Sequence, residues 1–164
     1  MRIAEYLLTN NTIALQVEAD DWQAAVAKGV SLLEAAGAVE ARYFDAILAN
    51  VAAHGPYFVI VPSVAMPHAH PEDGVRKTGF SLVTLKAPVC FGHEEHDPVT
   101  IILCIAAASK TALNEEVIVQ VMRLLDWEQS VGRLQQARTL DDIRQLFADL
   151  PQEDQRADAS LGDP

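Results

Sequence analysis

Hydrophobic positions recur along the chain with two alternating periods, and the switches between them mark out the elements. Ile3 to Leu8 is a short apolar lead-in that predicts one or two helical turns. Thr12 to Val17 alternates, with Ile13, Leu15 and Val17 apolar, which predicts a short strand. Asp20 and Asp21 then offer an N-cap to a helix whose stripe is Trp22, Val26, Val30 and Leu33, closed by Gly37. A second helix is expected from Glu40 to His54, with Tyr43, Ile47 and Val51 on one stripe, Phe44 and Leu48 beside it, and Gly55-Pro56 as the stop. Phe58 to Val61 reads as a short buried strand, continued by Ser63 to Met66 after Pro62.

The segment His68 to Val75 is polar and holds Pro71 and Gly74, so it reads as a loop. Thr78 to Leu85 has strand composition, and Ala87 to Asp97 is a turn-rich connection carrying the acidic stretch His93 to Asp97. Val99 to Ala107 is apolar at nearly every position, as a central strand covered on both faces requires. A helix is expected from Asn114 to Trp127 on Val117, Val121 and Leu124, with Asn114 as its N-cap and Glu115 and Glu116 near its positive end. Ser130 is expected to cap a short helix to Leu134, and Thr139 with Asp142 reads as a capping box opening a last helix to about Leu150. Interspersed strands and helices predict a single-domain α/β fold, a small mixed sheet between helices, over residues 1–150. Residues 151–164 are polar and aperiodic and read as a disordered tail.

Composition narrows the function classes. Half of the 164 residues are hydrophobic, enough for a real core. Twelve Lys and Arg against 23 Asp and Glu leave a formal charge of -11, which repels phosphate backbones and anionic lipid. Nucleic acid is therefore excluded as a partner class, whereas a basic protein partner would be steered inward. Cys90 and Cys104 lie in apolar runs and form no Cys-x-x-Cys pair, so both are expected as buried, reduced thiols. The amino terminus has no long apolar segment of the signal-peptide kind, and a cytoplasmic location is expected.

The candidate chemistry centres on His68, which follows Met66-Pro67 at the end of a strand-like run. Pro67 fixes its own φ and biases Met66 toward extended backbone, so the chain presenting the imidazole is stiffened. The end of a sheet strand is also where α/β proteins place their sites. Neutral imidazole is a good nucleophile near pH 7, and transfer further needs a fixed tautomer and donors for phosphate oxygens. Backbone N–H groups near Ala69 and a helix N-terminus are candidate donors. A zinc-dependent hydrolase is a rival reading, because His68-x-His70 and His93-x-x-His96 supply zinc ligand types. Against it, both pairs fall in loops and no His-Glu-x-x-His helix exists.

The runs 65–75 (AMPHAHPEDGV) and 79–89 (GFSLVTLKAPV), Asp97-Pro-Val99 before an apolar strand, Gly55 to Pro62, and Glu40-Ala-Arg-Tyr43 together form an ordered set. This set resembles the EIIA component of the mannitol–fructose type of the bacterial sugar phosphotransferase system, closest to its ascorbate-specific branch. The resemblance covers residues 2 to 150. It implies that His68 is phosphorylated on Nε2 by the phosphocarrier HPr and passes the group to a cysteine of EIIB, with the membrane component EIIC served indirectly. Nδ1 would then fix the ring. No metal or organic cofactor is implied. Where many members carry a second histidine this chain has Asn114, whose amide donates a hydrogen bond but carries no charge. His70 stands where an arginine is common, and Arg42 lies beside Tyr43; His70, Asn114 and Arg42 are the candidate phosphate or partner contacts. A regulatory relative, which accepts phosphate and acts by binding a target protein, is the alternative within the same resemblance.

Overall fold

The computed structural model describes residues 2–151. Its strands β1 (Ile13–Val17), β2 (Val59–Val61), β3 (Val64–Ala65), β4 (Gly79–Val89) and β5 (Val99–Ala106) form one five-stranded sheet in the order β1-β4-β5-β3-β2. The sheet is mixed: β1 runs parallel to β4 and β3 to β5, whereas β4/β5 and β2/β3 are antiparallel. Helices α1 (Ile3–Asn10), α2 (Trp22–Ala35), α3 (Arg42–His54), α4 (Lys110–Ala112), α5 (Ile118–Asp126), α6 (Ser130–Gln136) and α7 (Leu140–Asp149) complete the fold. The tail from residue 152 onward lies outside the described residues.

Sequence patterning accounts for the centre of the molecule. Phe80 through Leu85 of β4 are all buried, as is β5 apart from Thr100, so both faces of the central strands are covered. On one face Gly29 of α2 lies so close that a Cβ there would stand 3.1 Å from Cys104 Cβ and 3.4 Å from Ser81 Oγ. The predicted caps form at two helices. Asp21 Oδ1 accepts from Ala24 N–H at 2.8 Å, opening α2. Thr139 Oγ1 accepts from Asp142 N–H at 3.1 Å while Asp142 Oδ2 accepts from Thr139 N–H at 3.1 Å, the reciprocal pair that opens α7.

Four expectations need correction. Ser63 to Met66 does not continue the preceding strand: the chain reverses at Pro62-Ser63, where Ser63 takes φ 73°, and β3 returns antiparallel to β2. A proline at the first corner and a left-handed residue at the second make a tight turn. The helix expected to start at Asn114 starts at Lys110, capped by Ser109 Oγ accepting from Ala112 N–H at 3.0 Å. It then passes through a wide π-helical turn, Leu113–Val117, so Asn114 lies inside the helix and is not its cap. Ser130 is likewise the first helical residue of α6, after N-cap Gln129, and its buried hydroxyl has no partner among the described residues. Finally, Cys104 is buried but Cys90 is exposed, because β4 emerges into solvent from Lys86 to Pro88 and slips register before Val89.

Candidate active site

His68 leaves the sheet three residues past the end of β3, and the hydrogen bonds there show why it leaves. Ile105 N–H donates to Pro67 O at 3.1 Å, one rung of a parallel ladder. The next rung would run from Ala69 N–H to Ile105 O. Instead the hydroxyl of Tyr43, from α3, fills that gap: it accepts from Ala69 N–H at 2.9 Å and donates to Ile105 O at 2.7 Å. Tyr43 is fully buried, so water does not compete for these groups. The inserted oxygen splays the chain away from β5 at His68 and leaves both backbone groups satisfied.

The imidazole is held on one nitrogen. His68 Nδ1 lies 2.8 Å from Met66 O. A carbonyl oxygen can only accept, so Nδ1 carries the proton and Nε2 keeps its lone pair. The edge of the Tyr57 ring packs against the imidazole, with centroids 5.7 Å apart and planes at 76°. The Tyr57 hydroxyl donates to His68 O. Burial pushes the His68 pKa below the ordinary histidine value; the Met66 carbonyl acts in the opposite sense, and nearby His70 adds to the lowering. The result is a half-buried imidazole whose Nε2 lone pair is left free, the state a nucleophilic histidine requires.

The loop after His68 is braced. His70 N–H donates to Asp73 Oδ2 at 2.9 Å, over the short 3₁₀ turn Pro71–Asp73. Arg42, at the start of α3, donates from Nε to Glu40 Oε2 at 2.8 Å and from Nη1 to Glu72 O at 3.1 Å. Glu40 N–H closes the bracket on Gly74 O at 2.8 Å. Arg42 therefore ties α3 to the turn that follows the histidine. His70 is exposed beside it. Asn114, also exposed, sits in the helix that begins four residues beyond β5, at the sheet end where His68 emerges.

One expectation about chemistry changes, and the rival metal reading finds no support in the geometry of its second histidine pair. Ala69 N–H is not available to phosphate oxygens, since Tyr43 already accepts from it. The second histidine pair is no metal centre: His93 Nδ1 accepts from the N–H groups of Glu95 and His96, at 3.1 Å each, and the two rings stack at 4.6 Å. Asp97 is spent on the N–H groups of Phe91, Gly92 and His93. Among the described residues no group of three or more His, Cys, Asp or Glu is placed to hold a metal ion. Cys104 is no rival nucleophile, its thiol being pushed up to about 12 by burial. A cleft of about 440 Å³ lined by Gln16, Lys86, Thr100 and Arg138 opens at the other end of β5, away from the histidine. Tyr43 and Tyr57 escaped the sequence reading as site residues, although both lie in the stretches that carry the resemblance, Glu40 to Tyr43 and Gly55 to Pro62.

Comparison with known proteins gives one answer. Residues 6–150 match the family described as phosphoenolpyruvate-dependent sugar phosphotransferase system, EIIA 2. The ascorbate-specific PTS system EIIA component of Salmonella choleraesuis (strain SC-B67) is 49% identical over 147 residues, covering 90% of this chain and 96% of that protein. The mannitol-specific cryptic phosphotransferase enzyme IIA CmtB of Escherichia coli superposes with a TM-score of 0.79 at 29% identity, over 89% of this chain and 97% of that one. Enzyme IIAMTL of Escherichia coli, in its complex with phosphorylated enzyme IIBMTL, gives a TM-score of 0.73 at 29% identity over 84% and 94% of the two chains. With an imidazole held on one nitrogen at a sheet end and this agreement over nearly its whole described length, the chain belongs to the EIIA 2 family of the phosphoenolpyruvate-dependent sugar phosphotransferase system.

Proposed function

We propose that Nε2 of His68 accepts a phosphoryl group from HPr and hands it to a cysteine of EIIB, in a system that takes up ascorbate. The observation that carries the site assignment is the 2.8 Å contact from His68 Nδ1 to Met66 O, which leaves Nε2 as the nucleophilic nitrogen. In the first step the Nε2 lone pair forms the N–P bond while the donor's bond to phosphorus breaks, its electron pair staying on the donor. In the second step a thiolate of EIIB forms the S–P bond and the N–P electron pair returns to Nε2. Neither step needs the protein to supply more than position and hydrogen bonds.

Ascorbate as the sugar is supported by the ascorbate-specific naming of a relative at 49% identity. EIIB as the acceptor is supported by the structure of IIAMTL bound to phosphorylated IIBMTL. His70 and Asn114, exposed at the same end of the sheet, are the side chains we assign to meet phosphate or partner, with Arg42 holding the turn behind them. Residues 1–150 make up the working domain. We place the reaction in the cytoplasm, in keeping with the family's dependence on phosphoenolpyruvate. The test is direct. With phosphoenolpyruvate, enzyme I and HPr, the protein should gain one acid-labile phosphate, and His68→Ala should gain none. Equal labelling of His68→Ala would refute the assignment.

A further inference from the structure

We propose that Tyr57 and Tyr43 are positioning residues for phosphoryl transfer, because their hydroxyls grip the two ends of a single peptide plane, the one that follows the nucleophilic histidine. Tyr57 O–H donates to His68 O, and Ala69 N–H donates to Tyr43 Oη at 2.9 Å. These two backbone groups belong to one rigid unit, since a peptide bond is planar. Holding both ends fixes the plane's rotation, and with it ψ of His68 and φ of Ala69 together. Pro67 stiffens the chain on the other side, with its carbonyl accepting from Ile105 N–H at 3.1 Å. The Met66 carbonyl then fixes the ring at Nδ1, at 2.8 Å. The carbonyl before His68, the peptide after it and its ring are thus each tied to a neighbour.

The two tyrosines differ in a way that makes the idea testable. Tyr43 is anchored in α3 and fully buried, with its second hydrogen bond on Ile105 O at 2.7 Å. Tyr57 is 38% exposed, follows the Gly55-Pro56 helix stop, and packs its ring on Phe58 at 5.0 Å and on His68 at 5.7 Å. Tyr57→Phe removes one hydroxyl and keeps the ring surface that a partner would touch.

The inference rests on His68 being the phosphorylated residue, and its test separates the two claims. Single-turnover transfer from phosphorylated HPr is measured for wild type, Tyr57→Phe and Tyr43→Phe, over a range of donor concentration. Tyr57→Phe is expected to lower the maximal rate constant about tenfold while leaving the half-saturating donor concentration unchanged, because aim is lost and docking is not. Tyr43→Phe should also lower it, and the double variant should fall short of the product of the two losses, since both act on one peptide. The His68 ring nitrogen resonances of unphosphorylated Tyr57→Phe should move toward tautomer averaging, a change that a merely structural hydroxyl would not produce. A Tyr57→Phe protein with wild-type rate constant and wild-type ring resonances overturns the proposal. So does one that loses only donor affinity. If wild type itself takes no phosphate on His68, the site assignment fails instead.

Discussion

Gly74 closes the turn that holds the loop after His68, and replacing it tests how tightly that loop is tied to α3. Its φ is 114°, outside the small left-handed region open to other residues. A Cβ there would stand 3.1 Å from Arg42 Cγ and 3.3 Å from Glu40 Cβ. Arg42 cannot swing aside freely, since its guanidinium is bonded to Glu40 at 2.8 Å and to Glu72 O at 3.1 Å. Gly92 is the internal control, with φ 87° and no atom of the described residues within 4 Å of where a Cβ would stand. Forcing alanine to positive φ costs about 1–2 kcal/mol at either site, offset by a few tenths from the stiffer unfolded chain. The crowding at Gly74 adds about 1 kcal/mol more, in the range for mild overpacking. Gly74→Ala should therefore lose about 2–3 kcal/mol and Gly92→Ala about 1 kcal/mol, read from urea unfolding followed by far-ultraviolet circular dichroism with a common slope. In a domain of this size the first corresponds to a fall in Tm of about 5–10 °C. Equal losses at the two glycines would deny the bracket between Arg42, Glu40 and the turn.

Two further outcomes follow from the same geometry. Burial keeps the His68 pKa below the ordinary value, so His68 stays neutral to lower pH than a free histidine. The rate of phosphoryl acceptance should hold its plateau below about pH 6.5 and fall only under the depressed pKa, and an NMR titration placing that pKa above 6.5 would contradict the burial argument. Because the unfolded chain takes up the proton first, stability should rise with pH between the two pKa values, and His68→Ala should flatten that part of the slope. Thr139→Ala removes the cap that holds Asp142 N–H at 3.1 Å and should cost about 1 kcal/mol of stability without altering transfer; a thermal melt and the transfer assay read the two.

The buried centre of the fold was legible because burial dictates composition. β5 can be apolar at almost every position only if both faces are covered, and it is. Thr139 and Asp142 announced a helix start by local chemistry that tertiary structure did not override. In the sheet and at the site, the partners that decide the structure lie far along the chain. The reversal at Pro62-Ser63 depends on β3 finding a place beside β5, which a run of Val, Pro and Ser does not announce. Lys110 to Leu113 offered no capping box, so the start of that helix passed unseen. At the site, His68 was visible from its proline and its neighbours, but Tyr43 reads as core from its helical stripe. The role proposed for it comes from the hydroxyl alone, which meets Ala69 and Ile105 across 26 and 62 residues of sequence.

Transfer through His68 as proposed requires its two ring nitrogens to divide the labour, Nδ1 bonded to Met66 O and Nε2 open to phosphorus. Nitrogen-15 and phosphorus NMR of the phosphorylated protein, labelled in its histidines, reads that division directly. A phosphorus–nitrogen coupling at Nε2 of His68, with Nδ1 still protonated, is the predicted result. Phosphate on Nδ1, or on any other residue, would contradict it.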